Sequence, residues 1–199
     1  MTTENPRPRG RPRRFDPDEA VATAQRLFHA RGYDAVSVAD ITGALGINPP
    51  SFYAAFGSKA GLYARVVNRY DAAGTVTLED NLRPGRPVAE ALGALLETAA
   101  RNYAADPAAA GCLVLEGQRC DDPSARDCAA AVVSAAEQTI RQFVAAHHPE
   151  AAQRVTDYVT TTLAGLSAKA REGQGLDRLL GTARLAGKVL AEALREAGA

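Results

Sequence analysis

The chain holds a short run of residues that could read nucleic acid: Asn48, Pro49, Pro50, Ser51, Tyr53 and Ala54. Base edges and phosphates are recognised by hydroxyls and amides on a helix whose first turns enter a groove. Ser51 and Tyr53 carry the hydroxyls, Asn48 an amide, and Ala54 a methyl that suits the methyl of a thymine. Phe52 and Phe56 are four apart and share one helical face, which turns Tyr53 toward another side. A Tyr53 packed inward with them is the other arrangement.

Such a helix needs a rigid mount, and the flanking residues supply one. Ser37 and Asp40 form an S-x-x-D capping box that marks a helix start. Val38, Ile41 and Leu45 follow at helical spacing. Gly46 suits the turn that ends this helix. Asn48 suits the cap of the next, and Pro49 its first turn. Helix, short turn and helix is the pattern that lays its second helix in a DNA major groove.

These residues also carry a family resemblance. From about Pro17 to Tyr70 the chain resembles the DNA-binding domain of TetR-type (TetR/AcrR) transcriptional regulators. The resemblance rests on AVATAQRLFHARGYDAVSVADI, the turn ALGIN and the block SFYAAFGSKAGLYARVV. Its most specific part is the ending FYxxFxSKxxLY. The chain departs from the family at Pro49-Pro50, where small or basic residues are common. It departs again at Ala54-Ala55, where His-Tyr is common, leaving Ser51 and Tyr53 as its main base-reading side chains.

The resemblance implies an all-α fold of about nine helices. It implies a homodimer on double-stranded DNA at a palindromic operator, repressing transcription until a small-molecule inducer releases it. It places Thr42 and Lys59 against the DNA backbone, with Ser37 counted beside them. Lys59 stands in the first turn of a helix, where free N–H groups also favour phosphate. A thiol-responsive regulator and a constitutive DNA-binding protein without a ligand remain alternatives.

Charge fits a polyanion at one end. Residues 1–70 carry a formal +4 and residues 71–199 a formal −4, within a net charge of zero. Arg7, Arg9, Arg11, Arg13 and Arg14 crowd the first fourteen residues. Arg11, Arg13 and Arg14 are the candidate arm contacts, with a solubilising tail as the other reading. The expected organisation is a disordered basic arm over 1–14, a helix-turn-helix domain over 15–60 and a helical regulatory and dimerisation domain over 61–199. No apolar run approaches the roughly 20 residues of a membrane span, and no secretory segment is visible, so the cytoplasm is the expected location.

The remaining helices follow from punctuation. Breaks at Leu82–Pro87, Asp106-Pro107, Asp121–Pro123, Pro149 and Gly173–Gly175 divide residues 61–199. A cap at Asp177 opens the last helix. The last two helices carry an apolar surplus, and Leu163, Leu166, Leu179, Leu185 and Val189 are expected to form a four-helix dimer seam. The resemblance implies a ligand pocket in this half. Its candidates by residue type are Asn102, Tyr103, Gln118, Arg119, Phe143, His147 and Tyr158.

Other chemistries find little support. There is no Gly-rich phosphate loop, no G-x-S-x-G and no H-E-x-x-H, so neither an enzyme nor a cofactor is expected. Cys112, Cys120 and Cys128 lack metal-ligand spacing. They read as small half-buried side chains, or as a redox sensor flanking the Asp121-Asp122-Pro123 turn.

Overall fold

The structure is a computed structural model that describes residues 16–72, 78–83 and 85–196. Every regular element among them is helical. Helix α1 (Pro17–Arg31) starts where Asp16 accepts the N–H of Asp18. Phe15 and the arginine arm lie outside the described residues. Helix α2 (Val38–Leu45) has the full Ser37–Asp40 capping box, and α3 (Pro49–Phe56) is capped by Asn48, which accepts the N–H of Ser51. Helix α4 covers Lys59–Ala72, and α5 is a four-residue segment, Leu78–Asn81. The sequence predicts one helix from Ser58 to Asp80, and the described parts of that stretch, Lys59–Ala72 and Leu78–Asn81, are helical; residues 73–77 lie outside the described residues.

The second half contains α6 (Val88–Tyr103), α7 (Leu113–Gly117), α8 (Pro123–Ala145), α9 (Ala152–Arg171) and α10 (Leu176–Glu196). The prolines expected to break helices do so by opening single 3-10 turns, Pro107–Ala109 and Pro149–Ala151. Asp177 lies inside the first turn of α10, which begins at Leu176. It faces the positive end of the helix dipole there, and is not the cap.

Two apolar cores result. The front core joins Ala24, Phe28, Ile41 and Phe52 to Leu62, Tyr63, Val66 and Tyr70 of α4. It continues into Leu113, Val114, Ala125 and Ala129 of α7 and α8. The boundary expected at residue 60 therefore falls inside one core, because α4 packs on both halves. The rear core is built from α6, α9, α10 and the end of α8. Its α6 and α10 cross closely: a methyl added at Gly187 would stand 3.5 Å from the Cα of Gly93.

This crossing overturns part of the expected seam. Leu179 of α10 is 0% exposed and Leu166 of α9 is 2% exposed, both inside their own subunit. Leu163 is half-buried against the same core. An apolar stripe does not state whether α6 or a second subunit covers it. Leu185 and Val189, at 63% and 44% exposure, remain outside.

The two cores meet at a polar joint. The loop after α6 turns at Gly111, whose φ is +79° and where a Cβ would stand 2.8 Å from the Arg171 side chain. Only glycine satisfies both conditions. Arg171 Nη1 donates to the carbonyls of His29 (3.2 Å) and Ala110 (3.0 Å), and its Nε lies 3.6 Å from Glu116. The Cys112 N–H donates to Ser167 Oγ at 2.8 Å. His29 Nε2 sits 3.1 Å from the Gly111 carbonyl, and its ring meets Tyr70 edge-on. That carbonyl can only accept, so a neutral His29 carries its proton on Nε2.

Burial pushes the His29 pKa below 6.5; the Gly111 hydrogen bond opposes this and the Arg171 charge adds to it. The unfolded chain therefore binds this proton more readily than the folded one. His29 costs the fold nothing well above pH 6.5, and stability drains as pH falls from there toward the depressed folded value. Urea midpoints measured between pH 7.5 and 5.5 should fall more steeply for the wild type than for His29→Gln, which keeps an N–H donor. Equal slopes would contradict this account of the joint.

Candidate nucleic-acid interface

Helix α3 presents one face inward and one outward, as its sequence spacing requires. Phe52 and Phe56 are buried in the front core. Asn48, Pro49, Pro50, Ser51 and Ala54 are exposed, and Tyr53 is 51% exposed. The Asn48 side-chain oxygen is spent as the cap of α3. Ser51 and Tyr53 are therefore the side-chain hydroxyls offered by this face, beside a methyl from Ala54 and a Pro49-Pro50 surface.

Basic residues around α3 act as brackets. Lys59 Nζ donates to the carbonyls of Tyr33 (3.1 Å) and Val36 (3.0 Å) and lies 3.9 Å from the centre of the Tyr33 ring. Two of its three N–H groups thus point into the protein. The loop before α2 supplies these carbonyls, and the third N–H of Lys59 is left for a further acceptor. Arg31 ties the Ala35 carbonyl (2.7 Å) and Asp40 (3.1 Å) together. Arg65 donates to the Ala55 carbonyl at 3.2 Å and lies over the Phe56 ring.

Thr42 departs from its expected place at the DNA backbone. It is 6% exposed, and its hydroxyl donates to the Ala39 carbonyl at 3.2 Å within α2. Ser37 is exposed but committed to its capping box, whose hydrogen bonds, with Arg31, hold the Asp40 carboxyl down at about 2. Gly61 was not singled out by sequence reasoning, yet it sets the angle between α3 and α4. A Cβ there would lie 2.2 Å from the Phe56 carbonyl oxygen. The signal was available only as a glycine in the first turn of a helix.

Behind this face, α4 to α9 line an open cavity of about 520 Å³. Of the expected ligand residues, Tyr103 alone lines it. Gln118 and Arg119 border a separate hollow of about 50 Å³. Asn102 is half-buried and lines neither, Phe143 packs on the rear core, and His147 and Tyr158 face solvent. Polar residue type pointed elsewhere because the space opens where helices diverge, among Val132, Val133, Ile140 and Leu163.

Tyr70 and Cys112 belong to both the cavity wall and the neighbourhood of the joint. Cys112 is a free thiol whose pKa is raised by burial. Burial likewise raises the thiols of Cys120 and Cys128. Among the described residues no group of His, Cys, Asp and Glu could hold a metal ion, and no helix is long and apolar enough to cross a membrane.

The model of the tetR family of bacterial regulatory proteins matches residues 20–66, from the body of α1 to α4. The HTH-type transcriptional repressor BdcR of Escherichia coli K12 is 51% identical over 196 residues, 98% of this chain and 100% of that protein. The HTH-type transcriptional repressor ComR of the same organism is 30% identical over 183 residues, 86% of this chain and 87% of its own. A solved structure of the TetR family regulator CifR, a cysteine mutant with 26-base-pair operator DNA, aligns with a TM-score of 0.81. It is 30% identical and covers 89% of this chain and 98% of its own. With half of its residues shared along the full length of BdcR, and with an outward-facing α3 on a helix-turn-helix mount, the chain belongs to the TetR family of bacterial transcriptional regulators.

Proposed function

We propose that the protein is a repressor that binds a palindromic operator as a homodimer and is released by a small-molecule inducer. The observation that carries this reading is the sharing of Tyr70 and Cys112 between the cavity wall and the joint beneath α1. A molecule filling the cavity pushes on residues that touch the DNA-binding core. BdcR and ComR are described as repressors, and CifR is known in complex with operator DNA. The protein would act in the cytoplasm, on the DNA held there.

Base reading falls to Ser51, Tyr53 and the Ala54 methyl, with Lys59 as a positioning residue for α2 and α3. Arg11, Arg13 and Arg14 supply phosphate contacts. In the dimer the two α3 helices would sit about 34–36 Å apart, one turn of DNA. A ligand that favours another spacing weakens operator affinity by its differential binding, about 1–3 kcal/mol in typical allosteric couplings. The thiol-sensor alternative is disfavoured by burial, which keeps all three thiols protonated and poorly nucleophilic.

For the dimer, Leu185 and Val189 stand one turn apart on the outer face of α10, with Tyr158 exposed on α9. Such large apolar groups on one surface suit a helix-pair interface. Light scattering should show Leu185→Arg/Val189→Arg as a folded monomer. Leu166→Arg should instead lose the fold, by about 3 kcal/mol or more, because it buries a charge without a partner. A folded, fully dimeric Leu185→Arg/Val189→Arg protein would remove α10 from the interface.

Positioning and reading on DNA should separate in titrations at several salt concentrations. Deleting residues 1–14 should weaken binding to operator and random duplexes alike. It should flatten the salt dependence by about 0.9 log–log units for each phosphate that the arm neutralises. Ser51→Ala and Tyr53→Phe should each cost about 1–3 kcal/mol on operator and relax preference at one base position. The assignment fails if arm deletion removes only operator preference, or if both helix variants bind every duplex like wild type.

A further inference from the structure

We propose that the cavity takes an apolar organic amine, protonated at neutral pH, and rejects anions of similar shape. The proposal rests on the reading of the chain as ligand-responsive and names the chemistry of its ligand. At about 520 Å³ the cavity has the size of a small-molecule site. Val132, Val133, Ile140 and Leu163 give it an apolar wall. The charged residues of the wall are Asp71 and Glu137, both carboxylates. No lysine, arginine or histidine joins them among the described residues.

The consequence is a one-signed site. An anion entering it loses water and meets two carboxylates with no counter-charge. That disfavours phosphorylated and carboxylated metabolites, including nucleotides. A cation loses water too, but gains two opposite charges. The rings of Tyr70 and Tyr103 in the wall add faces that attract cations. Asp71 and Glu137 are both solvent-exposed, so they stand where the cavity opens. An ammonium held between them stays partly hydrated while its apolar body fills the space among Val132, Val133, Ile140 and Leu163. This arrangement avoids the full desolvation of a buried ion pair.

A matched series tests it on the full-length protein: 4-phenylbutylamine, 4-phenylbutanol and 4-phenylbutyrate, which differ in head-group charge. Calorimetric titration should show the amine binding about tenfold or more tightly than the alcohol. The carboxylate should bind more weakly than either. Asp71→Asn/Glu137→Gln should erase the advantage of the amine over the alcohol, and Val133→Trp should abolish binding of all three by filling the space. The two carboxylate substitutions lie at exposed positions, so the proposal stays testable if Val133→Trp does not fold. Equal or tighter binding of the carboxylate overturns the proposal, as does an amine advantage that survives the double variant. Failure of all three probes to bind overturns it as well. Operator affinity is read separately. Carboxylate-driven release would refute the amine class and keep the ligand-responsive reading. Charge-selective amine binding without release would do the reverse.

Discussion

The guanidinium of Arg171 holds the two halves of this molecule in register. It sits in the last turn of α9 and donates to the carbonyl of His29, near the end of α1, and to that of Ala110 in the loop before α7. The last carbonyls of a helix lack intrahelical partners and carry the negative end of its dipole. One cation therefore satisfies a DNA-side helix, a cavity-side loop and, through Glu116, the short α7. The planar fork of arginine allows this; a lysine would present a single point of charge. Gly111 makes room for it, and Ser167, one turn earlier on α9, secures the Cys112 N–H beside it.

The front half follows the same logic on a smaller scale. Arg31 and Lys59 each end on backbone carbonyls of the loop before α2, and Arg65 on the Ala55 carbonyl in the last turn of α3. These hydrogen bonds tie α3 and the loop before α2 to the rest of the front half. Ser51 and Tyr53 carry the side-chain hydroxyls of the exposed α3 face; on the proposed reading, operator choice would rest on them and on sequence-dependent DNA shape.

Much of this is legible in the sequence. Caps and breakers are local, so Ser37–Asp40, Asn48 and the proline-led boundaries place α1 to α3 and most later helices within a few residues. The exposed side of α3 follows from Phe52 and Phe56 alone. Partner choice is what the sequence hides. Leu166 and Leu179 have the spacing of an interface, but the close crossing of α6 and α10 at Gly93 and Gly187 draws Leu179 inside, while Leu166 joins the same core. Lys59 and Thr42 have the chemistry of phosphate ligands, but nearby carbonyls take two of the three Lys59 donors and the Thr42 hydroxyl. The cavity is hidden for a similar reason. Its wall is mostly valine, leucine and isoleucine, which in sequence are indistinguishable from core.

The proposed regulator would read the state of its cavity as the spacing of two α3 helices. Pulsed electron–electron distance measurement between nitroxides at position 30 of each subunit, exposed on α1 and away from the α3 face, tests it directly. Labelled protein on operator DNA should give one narrow distance, fixed by α3 helices held about 34–36 Å apart in adjacent major grooves. Off DNA, filling the cavity with Val133→Trp should move the mean distance away from the operator-bound value. Identical off-DNA distributions for the folded wild-type and Val133→Trp dimers would contradict the account.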